Sequence, residues 1–456
     1  MLMSIVKFHR WGGSLMKMKF RFSIVTLLVV IFACGSALAS ATFSYTEDVQ
    51  KVVLDNGLTL LFKENPAFDI IAVGLLSGVG SVQDPVGLEG ITYLTQRNLL
   101  SGTTNRTAQE IVIELESLGA QLQTSASYDY SAIFLQSTPG SFGASFDVFM
   151  DLLNNPIFPE QEFERERYLS QAILASLTDD PMNAIVLGYL ELFYGEHPYK
   201  LSPYGSTVGL TMISRDDAVN WHTYLYQPEQ IVVSVVGNFK TEELLPLLQE
   251  SFAEWQNGYT DSPRPREQVE FVYPSEDREM VINLPTEAAF LIMGYPAPAS
   301  FDEDSAAMAV INGILGEGMS SRLFTEIRDK RGLAYTAMSQ YDERLGPSNL
   351  LIFLATHPQN VEQAKDQVLI ELKRFADEGL IAEEIAHIAT QKRGMYLIQN
   401  ETNLSQALML AMTELTGWGY EWVDDYMSFF DEVTPDDIKE AAQKYFQNYT
   451  EVLIIP

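Results

Sequence analysis

Few side chains in this sequence have the type and spacing that chemistry needs, and two of them flank one helix end. In the stretch 316–335, Gly316 and Gly318 make a flexible lead-in and Ser320 or Ser321 can cap a helix. Leu323 and Ile327 give that helix an apolar stripe. Lys330 and Arg331 in its last turn complement the helix dipole, and Gly332 lets the chain leave. Arg328 then lies one turn before the helix end and Tyr335 opens the next strand, so a cation and a phenol could approach a common point. A solvated charge and a strand-packing ring are the plainer reading of the same two positions. Other chemistry is sparse. Outside the N-terminal segment the histidines are His197, His222, His357 and His387, and no two lie within five residues of each other. A His-x-x-x-His metal clamp is therefore absent, as are a Gly-x-Ser-x-Gly elbow and a phosphate loop. His387 beside Glu383 and Glu384 reads as a solvated face, and His197 as a loop or packing residue.

The elements that must position these residues are written twice. Ile133-Phe134-Leu135 and Pro139 return as Ile352-Phe353-Leu354 and Pro358, 219 residues on, with Asp147 matching Asp366 and Leu153 matching Leu372. Ser214, Asp216, Asp217 and Tyr226 face Thr434, Asp436, Asp437 and Phe446 at a spacing of 220. Both series end in a β-branched run, 231–236 and 452–455. Such order implies a duplicated domain. In the first copy, strands around 52–54 and 58–62 flank Asn56-Gly57, a type I′ hairpin signal. A strand at 70–76, a helix at 108–118 stopped by Gly119, strand character over 121–137 and helices at 143–153 and 159–177 follow. The second copy has a strand at 289–294, a helix at 305–315, a strand at 350–355 and several helices after Val361. This order predicts an α+β fold of two tandem homologous domains, each a largely antiparallel sheet covered by helices on one side. The expected limits are 40–257 and 269–456, joined by a linker at 258–268 that contains Ser262-Pro263-Arg264-Pro265.

Composition bounds the function. The chain has 456 residues, 46% hydrophobic and 20% charged, with a formal charge of -32. That composition is globular, and the charge opposes nucleic-acid binding. An acidic surface keeps a protein soluble and attracts cationic peptides. Lys17, Lys19 and Arg21, an apolar run at 24–33 and Ala37-Leu38-Ala39 form the pattern of a secretory signal peptide over 1–39. Cys34, the single cysteine, sits loosely like a lipoprotein acceptor, but cleavage after Ala39 fits better and removes it. The mature chain would then have no cysteine chemistry, no transmembrane span and a charge of -37, with the periplasm as its expected location.

The stretch 316–335 resembles a motif of the insulinase, pitrilysin and mitochondrial processing peptidase family of zinc peptidases: Gly-x-x-Ser-Ser-Arg-Leu-Phe, then Arg-x-Lys-x-Gly-Leu-Ala-Tyr. The likeness extends from about residue 50 to the C-terminus and includes Asn56-Gly57-Leu58, Gly80-Ser81 and Ser101-Gly102-Thr103. By that resemblance, the family's His-x-x-Glu-His falls on Tyr93-Leu94-Thr95-Gln96-Arg97. Its third ligand, counted from Glu166-Arg167 and from Asp179-Asp180-Pro181, falls on Ile173. All four positions, Tyr93, Gln96, Arg97 and Ile173, have lost their metal chemistry. A guanidinium about 4 Å from a dication would be repelled by roughly 8 kcal/mol at an effective dielectric of about 20. No metal and no other cofactor is expected in this chain.

The resemblance also implies that Arg328 and Tyr335 complete an active site whose zinc comes from a facing domain. Tyr335 would donate to the oxyanion of the tetrahedral intermediate, and Arg328 would hold a substrate carbonyl or support that charge. A strand around Gln121, Gln123 and Ser125 resembles the family's substrate-pairing edge. The expectation is a metal-less subunit, inactive alone, that works in trans with a homologous partner. That partner would hold zinc on an intact His-x-x-Glu-His and admit unfolded peptides. The alternatives are a structural or peptide-binding homologue with no role in proteolysis, and an independent peptidase with an unusual metal site.

Overall fold

Two sheets that share a five-strand order, one per half of the chain and the first with an extra edge strand, organise the computed structural model, which describes residues 44–255, 258–259 and 262–456. The expected signal segment with Cys34, and residues 260–261 of the expected linker, lie outside the described residues. The first half runs β1 (Val49–Val53), β2 (Thr59–Glu64), β3 (Ile71–Ser77), α1 (Ile91–Asn98), α2 (Ala108–Leu118), β4 (Gln121–Ala126) and β5 (Ser131–Ser137). It continues through α3 (Phe142–Asn154), α4 (Glu160–Leu177), α5 (Pro181–Tyr194), α6 (Thr207–Met212), α7 (Arg215–Leu225), β6 (Ile231–Gly237) and α8 (Thr241–Ala253). The second half runs β7 (Arg278–Asn283), β8 (Ala289–Ala297), α9 (Ser305–Gly316), a π-helical turn (Phe324–Asp329), β9 (Ala334–Asp342) and β10 (Ser348–Thr356). It closes with α10 (Val361–Glu378), α11 (Ala382–Gln399), α12 (Asn403–Leu415), α13 (Trp422–Phe429), α14 (Pro435–Tyr445) and β11 (Thr450–Ile455).

The sheet orders are β1-β2-β6-β3-β5-β4 and β7-β11-β8-β10-β9. Each has one parallel pair, β2 with β6 and β7 with β11, and is otherwise antiparallel. The duplication extends to the caps. Ser214 opens α7 by a reciprocal bond with Asp217, and Thr434 opens α14 in the same way with Asp437. In α2, Thr107 and Glu110 form the N-terminal capping box and Gly119 leaves at φ +63°, as its left-handed stop requires. The expected type I′ turn is not formed. Gly57 takes φ +91° alone, because the Asn56 side chain is held by the carbonyls of Phe252 and Trp255 at the end of α8. Gly316 is not a flexible lead-in either: a Cβ there would lie 1.9 Å from the Ser339 nitrogen, so it seats α9 against β9.

The expected covering on one side is incomplete. Each sheet packs its own helices on one face, with Ile91, Phe149, Trp221 and Leu248 against β3 and β6, and Ile311, Val368 and Ala441 against β8 and β10. The other face takes a helix from the opposite half. Ala407, Leu410 and Ala411 of α12 lie on Leu61, Leu76 and Val236 of the first sheet. Ile185, Tyr189 and Phe193 of α5 lie on Ile292, Val452 and Ile454 of the second. This two-sided covering is why β3 and β6 are buried at every position. Equivalent glycines admit the two helices: a Cβ on Gly74 would meet Leu408 at 3.1 Å, and one on Gly294 would meet the Tyr189 ring and hydroxyl at 2.1–2.2 Å. The residues 45–456 therefore pack as one compact unit. No helix among the described residues is long and apolar enough to cross a membrane.

Gly294→Ala forces a methyl into the Tyr189 ring and is expected to lower unfolding stability by about 1–3 kcal/mol in urea titrations. Gly143→Ala, where the new methyl meets nothing within 4 Å, should instead gain about 0.5–1 kcal/mol because it removes a helical glycine.

Candidate functional site

Three of the four degenerate metal positions share α1. A buried acid fixes the helix start: Asp84 accepts from the Gly90 and Thr92 nitrogens at 2.6 and 3.2 Å and from the Thr92 hydroxyl at 2.6 Å. The α1 face toward the sheet is apolar, through Ile91 and Leu94. That spacing places Tyr93 and Arg97, one turn apart, on the other side of the helix. Arg97 donates from Nε and Nη2 to Glu166 Oε2 of α4 at 3.1 and 3.0 Å, and Arg165 donates to the other carboxylate oxygen at 3.1 Å. Glu166 is buried and Arg97 half exposed. The Tyr93 ring meets Tyr204 edge-on with centroids 4.8 Å apart. Burial raises its phenol above the ordinary value, and Arg97 opposes the rise.

Gln96 lies between Tyr93 and Arg97 in the same helix. It is buried, and neither amide atom has a hydrogen-bond partner among the described residues. Tyr226 lies near it, and burial holds that phenol well above its ordinary value. His222, on the preceding turn of α7, packs between Tyr226 and Phe158, and burial pushes it down to about 4. Ile173 lies two turns beyond Glu166 on α4 and is exposed, with no donor atom. Asp180, used to count to it, caps α5 by accepting from Met182 and Asn183. Among the described residues no group of three or more His, Cys, Asp or Glu side chains could hold a metal ion. A guanidinium tied to a carboxylate, a phenol, an amide and an alkyl chain do not fit zinc.

Gln121, Gln123 and Ser125 lie on β4, an edge strand paired only with β5. Its Thr124 hydroxyl donates to the Gln96 carbonyl at 3.0 Å, tying the edge to α1. Arg328 and Tyr335 belong to the second half, Arg328 in the π turn and Tyr335 on β9. The helix they were expected to flank is a π turn, entered with the Phe324 N–H reaching Ser321 Oγ at 3.4 Å. Arg331 donates to the Glu326 carbonyl at 2.7 Å, as a cation closing a helix does. Arg328 is exposed, with its guanidinium carbon 4.9 Å from the centre of the Phe324 ring. Tyr335 is 62% exposed on β9, an edge strand of the second sheet. Glu166 is the site residue that the sequence reading used only as a counting mark. The signal was available, because an arginine on a packed helix calls for an acid.

Removing one side of the ion pair exposes its worth. Arg97→Ala leaves Glu166 buried with Arg165 alone and should cost about 1–3 kcal/mol of unfolding free energy. Arg97→Ala/Glu166→Ala should cost less than the two single changes summed, by a double-mutant cycle in urea. His222 gives a pH test. It stays neutral in the fold to about 4, so between its unfolded pKa of about 6.5 and that value the unfolded chain binds the extra proton. Stability is complete above about pH 6.5 and falls on acidification, by up to about 1.4 kcal/mol per pH unit. His222→Phe should flatten this slope in melts between about pH 6.5 and 5.

Comparison with known proteins agrees with this architecture. A model of insulinase, peptidase family M16, matches residues 59–200, and a model described as the peptidase M16 inactive domain matches 212–392. An uncharacterized zinc protease of Streptomyces coelicolor is 26% identical over 402 residues, which cover 87% of this chain and 86% of that protein. The uncharacterized zinc protease YmxG of Bacillus subtilis is 22% identical over 90% of this chain and 98% of its own length. Among solved structures, a protease from Helicobacter pylori superposes with a TM-score of 0.81 at 23% identity, over 90% of this chain and 99% of the other. A peptidase M16 inactive domain from Pseudomonas fluorescens superposes with a TM-score of 0.80 at 22% identity, over 90% and 98%. With its two halves matched in turn by those two models, the chain belongs to the insulinase family of peptidases, M16.

Proposed function

We propose that this chain is an exported, non-catalytic subunit of a heteromeric zinc endopeptidase. It presents Arg328 and Tyr335 to the active site of a homologous subunit that carries an intact His-x-x-Glu-His. The observation that supports this reading is the contrast between two arginines. Arg97, at a metal-ligand position, is tied to Glu166. Arg328 forms no ion pair among the described residues and stands exposed with Tyr335. The first arrangement disables a metal site in this chain, and the second leaves a cation and a phenol free to act elsewhere.

In peptide hydrolysis the scissile carbonyl oxygen gains negative charge as the tetrahedral intermediate forms. The Tyr335 hydroxyl donates a hydrogen bond to that oxygen, and Arg328 supports the same charge or holds a neighbouring carbonyl. Each such donor contributes about 2.7–4 kcal/mol to the transition state, or a factor of about 10²–10³ in turnover. The basic, apolar and small-residue pattern at 17–39 supports export to the periplasm. A peptide-binding role without proteolysis is the second reading. The open edge of β4 favours it, because an extended peptide can add to such a strand.

The test is co-purification from the native envelope fraction, followed by peptide-hydrolysis kinetics of the complex. Arg328→Ala and Tyr335→Phe are each expected to lower kcat by about 10²–10³ without dissociating the complex. Unchanged turnover in both variants would remove the catalytic role and leave the peptide-binding reading.

A further inference from the structure

The strand that carries Tyr335 is one residue out of step with its neighbour. Pairing of β9 with β10 is regular from Asp342↔Asn349 to Thr336↔Ala355. Thr356 then pairs with Ala334, which leaves Tyr335 unpaired. Ala337 and Ser339 face inward, 5% and 6% exposed. Strict alternation would send Tyr335 the same way. The extra residue reverses the facing, so Ala334 is buried and Tyr335 turns out to solvent. The buried Thr356 hydroxyl donates to the Leu333 carbonyl and holds the chain just before the bulge.

In the first half the ladder of β4 with β5 ends at Gln121↔Gln136, the counterpart of Thr336↔Ala355, before the position where the bulge falls. Ser137, the counterpart of Thr356 at the 219-residue spacing, donates to the Thr138 carbonyl as Thr356 also does to that of His357, but its other partner is Ser145 where Thr356 reaches Leu333. The consequence of the bulge is the direction of one phenol.

Arg328 has its own support. In the π turn the Lys330 N–H reaches back five residues to the Thr325 carbonyl at 3.0 Å. The Arg328 guanidinium lies against the face of Phe324. An aromatic face steadies a guanidinium without neutralising it, whereas a carboxylate would cancel its charge.

We infer that Thr356 and Phe324 are positioning residues: the hydroxyl locks the bulge that aims Tyr335, and the ring holds Arg328 with its charge available. The inference rests on the proposed function for its purpose, and on the bulge and the ring contact for its geometry. Two readouts keep these apart. In the purified full chain, nitration of Tyr335 by tetranitromethane, mapped by mass spectrometry, should fall several-fold in Thr356→Val and return in Thr356→Ser. Modification of Arg328 by phenylglyoxal should rise several-fold in Phe324→Leu and return toward wild type in Phe324→Tyr. In the co-purified complex, Thr356→Val and Phe324→Leu should each lower kcat roughly 10–100-fold with KM little changed, as misplaced groups do. Unchanged labelling in Thr356→Val and Phe324→Leu, with melting curves that show both folded, would overturn the inference. So would altered labelling with normal kcat where Tyr335→Phe and Arg328→Ala are slow. Normal kcat in those two variants would overturn the proposed function instead, and labelling would still decide the geometry.

Discussion

Each sheet in this molecule is closed by a helix that belongs to the other half. A sheet apolar on both faces must cover both, and here the local helices reach only one. The exchange of α5 and α12 completes the burial, and a fully buried large apolar side chain contributes about 1.5–3 kcal/mol. Gly74 and Gly294 set how closely the exchanged helices approach. This constraint joins the two copies into one unit and holds their edge strands in place. One edge, β4, runs beside α1, and the other, β9, carries Tyr335.

On that framework the two arginines have opposite fates. Arg97 and Arg165 share the buried Glu166 carboxylate, an arrangement in which geometry and additional hydrogen bonds must offset the cost of burying charge. The result is two cations on one carboxylate, where a metal site would need electron-rich ligands. Arg328 instead rests on an aromatic ring and keeps its charge at the surface. In the proposed role, that cation would meet the developing negative charge of a reacting carbonyl. The first site ties α1 to α4, and the second is the one we propose a partner uses.

Much of this was legible in the sequence, because it is local or periodic. The repeat spacing pairs β5 with β10 and α3 with α10, and the Ser214 and Thr434 caps fall at equivalent helix starts. Gly119 stops its helix for the expected conformational reason. The helix exchange was not legible, since the apolar faces of α5 and α12 read alike whichever sheet receives them. The missed signal was the apolar run of 231–236, interrupted only by Ser234 and without polar alternation, which two-sided burial explains. Asn56-Gly57 misled because Asn56 answers to a distant helix end. The Arg97–Glu166 pair joins residues 69 apart, and the bulge at Tyr335 depends on a hydroxyl from the next strand. Both are tertiary facts that no local pattern encodes.

The central claim is that catalysis by this chain requires a metal held by another. The most direct measurement is zinc content together with peptide hydrolysis, for the chain purified to homogeneity and for its native complex. The account predicts no stoichiometric zinc and no hydrolysis for the chain alone, with both appearing in the complex. Stoichiometric zinc on the isolated chain, lost on substitution at Tyr93, Arg97 or Ile173 and accompanied by hydrolysis, would contradict it.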